Sequence, residues 1–205
     1  MLNRRKDGGT IGHHRDPVYR LSDELVERLE TFTAPSLKTT KKHLNIGHDQ
    51  DDSHIQNLTV AAVEYFERVT GHYIQKQQRE VTFSRRSRTA EVVSTPWQSL
   101  DSAVVLDKGE ERDVDVSDLI VDPGPPVIVR VKDNTTLPVG ERMRFTYTVG
   151  YDEQENVPEG IRQAIRLMVA DLYEYRTSAP ITGQTLEDTP FDFDALVAPY
   201  KVISI

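Results

Sequence analysis

The stretch Arg142-Met-Arg-Phe-Thr-Tyr-Thr-Val-Gly-Tyr151 decides the fold of this chain, because its side chains alternate between polar and apolar. Alternate residues of an extended chain point to opposite faces. The apolar face carries Met143, Phe145, Tyr147 and Val149, and the polar face carries Arg142, Arg144, Thr146 and Thr148. This pattern predicts a half-buried strand of a small antiparallel sheet.

A long helix is predicted on the N-terminal side of this sheet. Asp51, Asp52 or Ser53 can cap its start, and Gly71 stands where a C′ glycine belongs. Its expected core stripe, about 100° wide, consists of Ile55, Leu58, Ala62, Tyr65, Phe66 and Val69. Val60 and Val63 fall outside that stripe, beside Gln56, Glu64 and Glu67.

A second long helix is predicted to begin at Val157-Pro158, since proline is tolerated in a first helical turn. Its main stripe is Ile161, Ala164, Ile165, Met168, Leu172 and Tyr175, and Leu167, Val169, Ala170 and Tyr173 extend the apolar surface around most of the helix. A helix that is apolar on nearly all sides is buried on more than one face. Either the β-layer and the C-terminal segment of the same chain or a neighbouring subunit would provide the second cover.

The predicted fold class is α+β: a small helical bundle with an inserted, mainly antiparallel β-subdomain. The bundle has two long helices, at about 52–70 and 158–176, and a short one at about 37–44; the β-subdomain spans about 78–150. Further short strands are expected at Glu80–Phe83, Ala103–Leu106, Leu119–Val121 and Val127–Val131. The pattern of 23–33 fits a short helix or an edge strand equally well. The domain boundaries expected from these patterns are a flexible arm at 1–22, a core at 23–176 and a C-terminal loop and docking tail at 177–205.

Composition excludes several classes of site. The 205 residues include no cysteine, so disulfides, thiolate zinc sites and cysteine nucleophiles are ruled out. The formal net charge of −8 opposes sequence-independent DNA binding, which rests on clustered Lys and Arg. The charged start, Met1 to Gly9, predicts no signal peptide, and no apolar run approaches the ~20 residues that span a bilayer. We therefore expect a soluble intracellular product with no membrane contact.

The best candidate for a metal site is the polar stretch with His43, His48, Asp49, Asp51, Asp52 and His54. It fails as a calcium loop, because counting from Asp49 places His54 at the glycine position and Val60 at the bidentate glutamate position. It lacks the paired helical His-x-x-x-His spacing of a zinc site. The stretch is interpreted as a helix-capping loop, and no metal or cofactor is expected.

The densest basic cluster is Arg85, Arg86 and Arg88, for which weak phosphate contacts compete with a solvated strand end or a salt bridge. Trp97 is interpreted as a core residue, with an interface anchor as the alternative. The sequence contains no phosphate loop, nucleophile elbow or dinucleotide fingerprint. No catalytic residue is predicted, and the chain is not expected to be an enzyme.

Three segments, in this order, resemble the head–tail connector (adaptor) family of long-tailed phages. The first is Leu37–Ile46 with an acidic loop and the helix end Glu67-Arg-Val-Thr-Gly71, similar to a lysine–x–leucine helix and an "ERxTG" helix end. The second is Phe145–Tyr151 running into Val157–Ile165 and Leu172–Arg176, similar to a "GY" corner, a "VPxxIxxAI" start and an "LYxxR" end. The third is Leu196–Lys201, similar to "LLxPYR", with Lys201 where arginine is usual.

This resemblance implies a virion protein of the neck, at the head–tail interface: a ring of about twelve copies docked on the portal, with the next neck or tail (stopper) protein below. Genomic DNA would pass through the lumen without specific binding, and net acidity would keep it from sticking. The residues expected between subunits are Val60, Val63, Val169 and Tyr173. The residues expected to dock on the portal or a neighbour are Phe191, Phe193, Leu196, Pro199, Tyr200 and Lys201.

Three other functions compete with this one. A different neck ring protein, a stopper or tail-completion protein, would bind the adaptor rather than the portal. A DNA-packaging or DNA-binding factor would use Arg85, Arg86 and Arg88 together with Arg4, Arg5 and Lys6, and its DNA affinity would fall steeply with salt. A metal-dependent hydrolase would use His43, His48, Asp51 and His54 and would respond to added zinc or manganese.

Overall fold

The computed structural model describes residues 20–84, 88–174 and 193–202. The strands are β1 Arg20–Arg28, β2 Gln77–Ser84, β3 Thr89–Val92, β4 Trp97–Asp107, β5 Glu110–Val114, β6 Leu119–Asp122, β7 Val127–Val131 and β8 Arg142–Val149. The α-helices are α1 Leu37–His43, α2 Asp52–Thr70, α3 Glu159–Glu174 and α4 Phe193–Val197. The expected α+β class is confirmed.

Two sheets with antiparallel strand pairs enclose one apolar cluster, which we call the β-core. The larger sheet has the order β1-β2-β8-β4-β5, and the smaller has the order β3-β7-β6. The central strand β8 behaves as its alternation predicts: Met143, Phe145, Tyr147 and Val149 are 6%, 2%, 0% and 0% exposed. Trp97 lies at the edge of the β-core, where its ring stacks on Tyr147 with centroids 5.1 Å apart.

The larger sheet is not wholly inserted between the long helices, because β1 precedes α1 and forms one edge of it. This strand begins inside the expected arm of 1–22; residues 1–19 lie outside the described residues. Register shifts interrupt its pairing with β2 at Leu21 and at Val26. Each bulge adds a residue and breaks the period of two, so alternation could not distinguish this strand from a helix.

The buried face of α2 differs from the predicted stripe. Its buried residues are Ile55, Thr59, Ala62, Val63, Phe66, Glu67 and Thr70. Tyr65 and Val69, which were expected in the core, are 40% and 36% exposed. The rotation is possible because the hydroxyls of Thr59 and Thr70 donate to the carbonyls of Ile55 and Phe66, at 2.8 and 2.7 Å, so that polar side chains are satisfied inside the core.

The helix α3 is covered by elements of its own chain. Its buried residues Ile161, Ala164, Ile165 and Val169 belong to a second apolar cluster, the helical core, shared with α2 and α4. α1, α2 and α4 all lie against it. Leu172 remains 39% exposed. Within the described residues, no helix is long and apolar enough to cross a membrane.

Gly150 makes the turn that follows β8. Its φ angle is 102°, and a Cβ at this position would lie 2.1 Å from the carbonyl oxygen of Gln75. Glycine is needed both for the backbone conformation and for this close approach.

We expect Gly150→Ala to lower the free energy of unfolding by at least about 3 kcal/mol more than Gly109→Ala. Gly109 also has a positive φ, 92°, but a Cβ there meets nothing within 4 Å. The difference between the two variants in urea unfolding therefore isolates the clash with Gln75. Equal losses of stability would show that only the φ angle matters at Gly150.

Candidate functional site

The sequence motifs at 67–71, 150–151, 157–165 and 196–201 meet at one place in the structure, which we call the motif junction. There the end of α2, the turn after β8, the start of α3 and the C-terminal segment are in contact. The site is built from backbone corners and aromatic rings, and each side chain has an identifiable partner.

Glu67 holds the corner between α2 and β2. Its carboxylate accepts the backbone N–H of Ile74 at 2.8 Å, and the residue is only 7% exposed. Burial raises the pKa of Glu67, while that backbone hydrogen bond opposes the increase. The buried acid therefore works as a cap for a backbone donor that would otherwise lie unpaired.

Thr70 and Gly71 end the helix at the same corner. The Thr70 hydroxyl donates to the Phe66 carbonyl and accepts the backbone N–H of His72 at 3.0 Å. Gly71 is left-handed, with φ 69°, and a Cβ there would lie 3.0 Å from the Val93 carbonyl oxygen. The motif Glu67–Gly71 thus reverses the chain from helix to sheet.

An aromatic cluster fills the junction. The Nε2 atom of His72 lies 2.8 Å from the Tyr151 hydroxyl, and the two rings stack with centroids 5.7 Å apart. The Tyr200 ring packs edge-on against the His72 ring, with centroids 5.5 Å apart, and its centroid lies 6.4 Å from that of Phe66. Gly160 leaves room for the ring, because a Cβ there would lie 2.8 Å from the Tyr200 hydroxyl.

Burial keeps this cluster uncharged at neutral pH. It lowers the pKa of His72 to about 4 and raises the pKa of Tyr151 to about 12. Neither group titrates near pH 7, where a general acid or base works best. The arrangement supports packing of the C-terminal segment rather than proton transfer.

A second polar cluster fastens β1 to the larger sheet. Arg79 donates from Nε and Nη2 to Oδ1 of Asp23, at 3.0 and 2.8 Å, and both side chains are nearly buried. The Tyr147 hydroxyl lies 3.3 Å from the same oxygen and 2.9 Å from the Ser94 hydroxyl. The Arg79 guanidinium also lies over the Tyr73 ring, 4.4 Å from its centroid.

The C-terminal segment packs on its own domain. The backbone N–H of Val202 donates to the Thr70 carbonyl at 2.9 Å, and Val197 is fully buried in the helical core. The rings of Phe193 and Tyr65 pack together with centroids 5.7 Å apart. Leu196 and Tyr200 are partly buried in the helical core. Of the expected docking residues, Pro199 and Lys201 are exposed, and Phe191 lies outside the described residues.

Two of the four expected interface residues are placed differently from the prediction. Val63 and Val169 are 8% and 0% exposed in the helical core, so they offer almost no area to a neighbour. Val63 is buried because the buried face of α2 is rotated relative to the predicted stripe. Val169 is covered by elements of its own chain. Val60 is 46% exposed, and Tyr173 is partly buried with its hydroxyl donating to Asp51 at 2.7 Å.

The polar stretch before α2 joins two helices. Lys41 of α1 reaches both Asp49 and Asp52, with its Nζ 2.6 Å from an oxygen of each. Asp51 is the N-cap residue of α2. Among the described residues, no group of three or more His, Asp or Glu side chains is arranged to hold a metal ion.

Arg88, directly before β3, is hydrogen-bonded to the loop before β8. Its guanidinium donates to the carbonyls of Lys132 and Thr135, the latter at 3.2 Å. Both bonds come from Nη2, and a weak phosphate contact of Arg88 stays a prediction. Arg85 and Arg86 lie outside the described residues.

Sequence reasoning missed the roles of Glu67 and His72. Glu67 was assigned to the solvent side of α2, although it lies three or four residues from Val63 and Thr70 on the same helical face. The spacing therefore contained the signal, but a charged residue was not expected in the core. For His72, the only signal was its position directly after the helix-ending Gly71.

Comparisons with known proteins agree with this placement of the motifs. Residues 35–103 match the family model described as phage gp6-like head-tail connector protein. The resemblance to the head–tail connector family is confirmed. The matched segment contains α1, α2 and the whole corner from Glu67 to Ile74. None of the curated proteins matches the chain.

Similarity to solved structures extends over most of the chain. A structure of the neck of an empty gene transfer agent particle, computed with C6 symmetry, contains a chain of 18% identity with a TM-score of 0.72; the match covers 90% of this chain and 97% of that one. A chain of a native gene transfer agent virion matches at 18% identity with a TM-score of 0.69, covering 87% and 96%. At identities this low, the structural similarity shows a common fold.

We expect the stability of the protein to fall as the pH decreases from about 6.5 to about 4, because the unfolded chain then binds a proton that buried His72 does not accept. The full loss would be about 3 kcal/mol, and no further loss from this group follows below pH 4. In the His72→Gln variant, the unfolding free energy measured in urea should change less with pH between about 6.5 and about 4.

The control is His43→Gln, which changes an exposed histidine of α1. It should keep the pH dependence of the unmodified chain. If His72→Gln and His43→Gln gave the same pH profile, the imidazole of His72 would not be held neutral by the fold.

Proposed function

We propose that this chain is a structural head–tail connector (adaptor) that forms an oligomeric ring under the portal and joins the DNA-filled capsid to the neck or tail of a virion. The observation that carries the proposal is the joint match: connector family over residues 35–103, and a neck-protein fold over 90% of the chain. The proposed role is mechanical and non-enzymatic, and its place is the virion neck.

A ring of about twelve copies is the proposed assembly. A chain from a native neck computed with C12 symmetry shares the fold, with a TM-score of 0.61 at 17% identity. In a ring, the contacts are head-to-tail, so that each copy presents two different surfaces to its two neighbours.

The exposed part of α2 is the surface that we propose for one of these contacts. Val60 is 46% exposed on one flank of the helix, and Tyr65 and Val69, at 40% and 36%, lie on the opposite flank. Beside it, a concavity of about 700 Å³ between α2 and α3 is lined by Ala61, Glu64, Tyr65, Arg68, Met168, Asp171 and Leu172. Apolar side chains around such a concavity favour contact with another protein surface. Tyr173 stays a proposed edge of the same contact.

The portal is the proposed partner of the C-terminal segment, and the next neck protein lies below. Leu196 and Tyr200 pack on their own domain, so Pro199 and Lys201 are, among the described docking residues, the ones exposed at the surface. The net charge of −8 would let genomic DNA pass through the lumen without specific binding, since like charges repel.

The first test is the mass of the protein by light scattering on a sizing column, alone and mixed with the portal of its own phage. We expect a complex with about one copy per portal subunit. Binding to another neck ring but not to the portal would indicate a stopper. Retention of DNA that weakens steeply with salt would indicate a DNA-binding factor instead.

We expect Val60→Glu to reduce ring or portal-bound assembly at least about tenfold, because it places a charge in a contact that excludes water. Val139→Glu is the matched control: Val139 is 76% exposed, in the loop before β8. Both variants should keep the circular dichroism spectrum of the folded chain. Equal assembly of the two variants would exclude the Val60 flank of α2 as a subunit contact.

A further inference from the structure

The two edges of the larger sheet are protected to different degrees. β5 forms one edge, and its residues Glu110, Glu111, Arg112 and Asp113 are all charged and exposed. Charged side chains keep other strands from pairing with an edge. The opposite edge, β1, is longer, with nine residues, of which five are charged. Among the described strands β1 pairs with β2 alone, and we call its other side the free edge.

Exposed apolar side chains concentrate on that second edge. Among the described residues, ten large apolar side chains are exposed, and four of them lie on or just after β1: Leu21, Leu25, Val26 and Leu29, at 53%, 43%, 52% and 42%. An open edge with this apolar content is the kind of surface that receives an added strand.

A groove runs between β1 and α2. One concavity of about 410 Å³ is lined by Arg20 and Asp23 of β1 and by Glu64, Glu67 and Arg68 of α2. A second concavity, of about 360 Å³, continues along the same helix and shares Glu64. Its apolar lining is Phe32, Ala34, Val60, Val63 and Ile74. Arg28, the last residue of β1, also lines the second concavity, so the groove adjoins the end of β1.

Charge and length point to the occupant. Residues 1–19 carry four basic and two acidic side chains, a net charge of +2, whereas residues 20–30 carry two basic and four acidic ones, a net charge of −2. Nineteen extended residues span about 60 Å, enough to pass from one copy to the next. Leu2 and Ile11 are apolar side chains of a size that fits the second concavity.

We propose that residues 1–19 of one copy add as an extended strand to the free edge of β1 in the adjacent copy. Backbone hydrogen bonds to β1 would hold the segment, Ile11 would enter the apolar end of the groove, and Arg4, Arg5 and Lys6 would face Glu24, Glu27 and Glu64. The inference rests on the proposed ring, because strand addition needs a neighbouring copy. The added strand would supply the contact between copies that closes the ring.

The test uses the absence of natural cysteine. Two differently tagged full-length chains are mixed, one with Thr10→Cys, Ile11→Cys or Gly12→Cys and the other with Leu25→Cys, both alone and on the portal. Oxidation should link the two tags, because only Cα atoms within about 7 Å can form a disulfide. The control replaces Leu25→Cys by Ile120→Cys, which is 40% exposed on the smaller sheet.

Each outcome decides the inference. The inference is supported if the yield of linked tags is at least fivefold above that of the Ile120→Cys control. The yield should fall again when Arg4, Arg5 and Lys6 are all replaced by Glu, which reverses their charge. If a single chain carrying both Ile11→Cys and Leu25→Cys links internally while the two mixed chains do not link, the inference is overturned in favour of a segment folded on its own edge. An assembly that forms on the portal without links overturns the strand addition and leaves the connector role intact. A chain that binds neither itself nor the portal removes the connector role and this inference together.

Discussion

The hydrogen bond from the Ile74 backbone to the Glu67 carboxylate is the interaction on which the rest of the structure depends. Tyr73 belongs to the β-core, and the next residue, Ile74, belongs to the helical core. The chain therefore passes from one core to the other between two consecutive residues, and it does so at a buried corner where water is absent. A backbone donor left unpaired there would cost on the order of 1–3 kcal/mol, so a carboxylate that can accept it repays part of its own desolvation.

The other elements of the motif junction follow from that corner. Once α2 ends at Gly71, the Thr70 carbonyl is free to accept the Val202 backbone, and His72 lies where Tyr151 and Tyr200 can enclose it. The C-terminal segment is thus held at both the helix end and the aromatic cluster. The sequence motifs that resemble the connector family are joints between elements, which explains why Glu67 and His72, residues with catalytic potential, are each hydrogen-bonded within the fold here.

The sequence predicted the parts of the fold whose side chains follow a simple period. β8 alternates without interruption, and α2 and α3 have apolar stripes with capping signals, so their positions could be derived. β1 could not, since two bulges break its alternation, and β5 could not, since four of its five residues are charged and exposed. Within α2 the stripe was assigned by apolarity alone. Thr59, Glu67 and Thr70 enter the core because each satisfies its polar atoms there, which depends on partners that the sequence pattern does not reveal.

The exposed apolar and charged side chains are distributed unequally over the surface of the folded chain, and this distribution affects how copies can assemble. Arg28 of β1 and the exposed Val60 line the same concavity, whereas the charged strand β5 forms the other edge of the larger sheet. A two-fold dimer would need one self-complementary patch, but the two edges differ: β1 carries exposed apolar side chains next to a groove, and the exposed side chains of β5 are charged. Two unlike edges suit head-to-tail contacts, which either close into a ring or continue as a filament. The asymmetry of the sheet edges is therefore the physical feature that favours the proposed head-to-tail assembly.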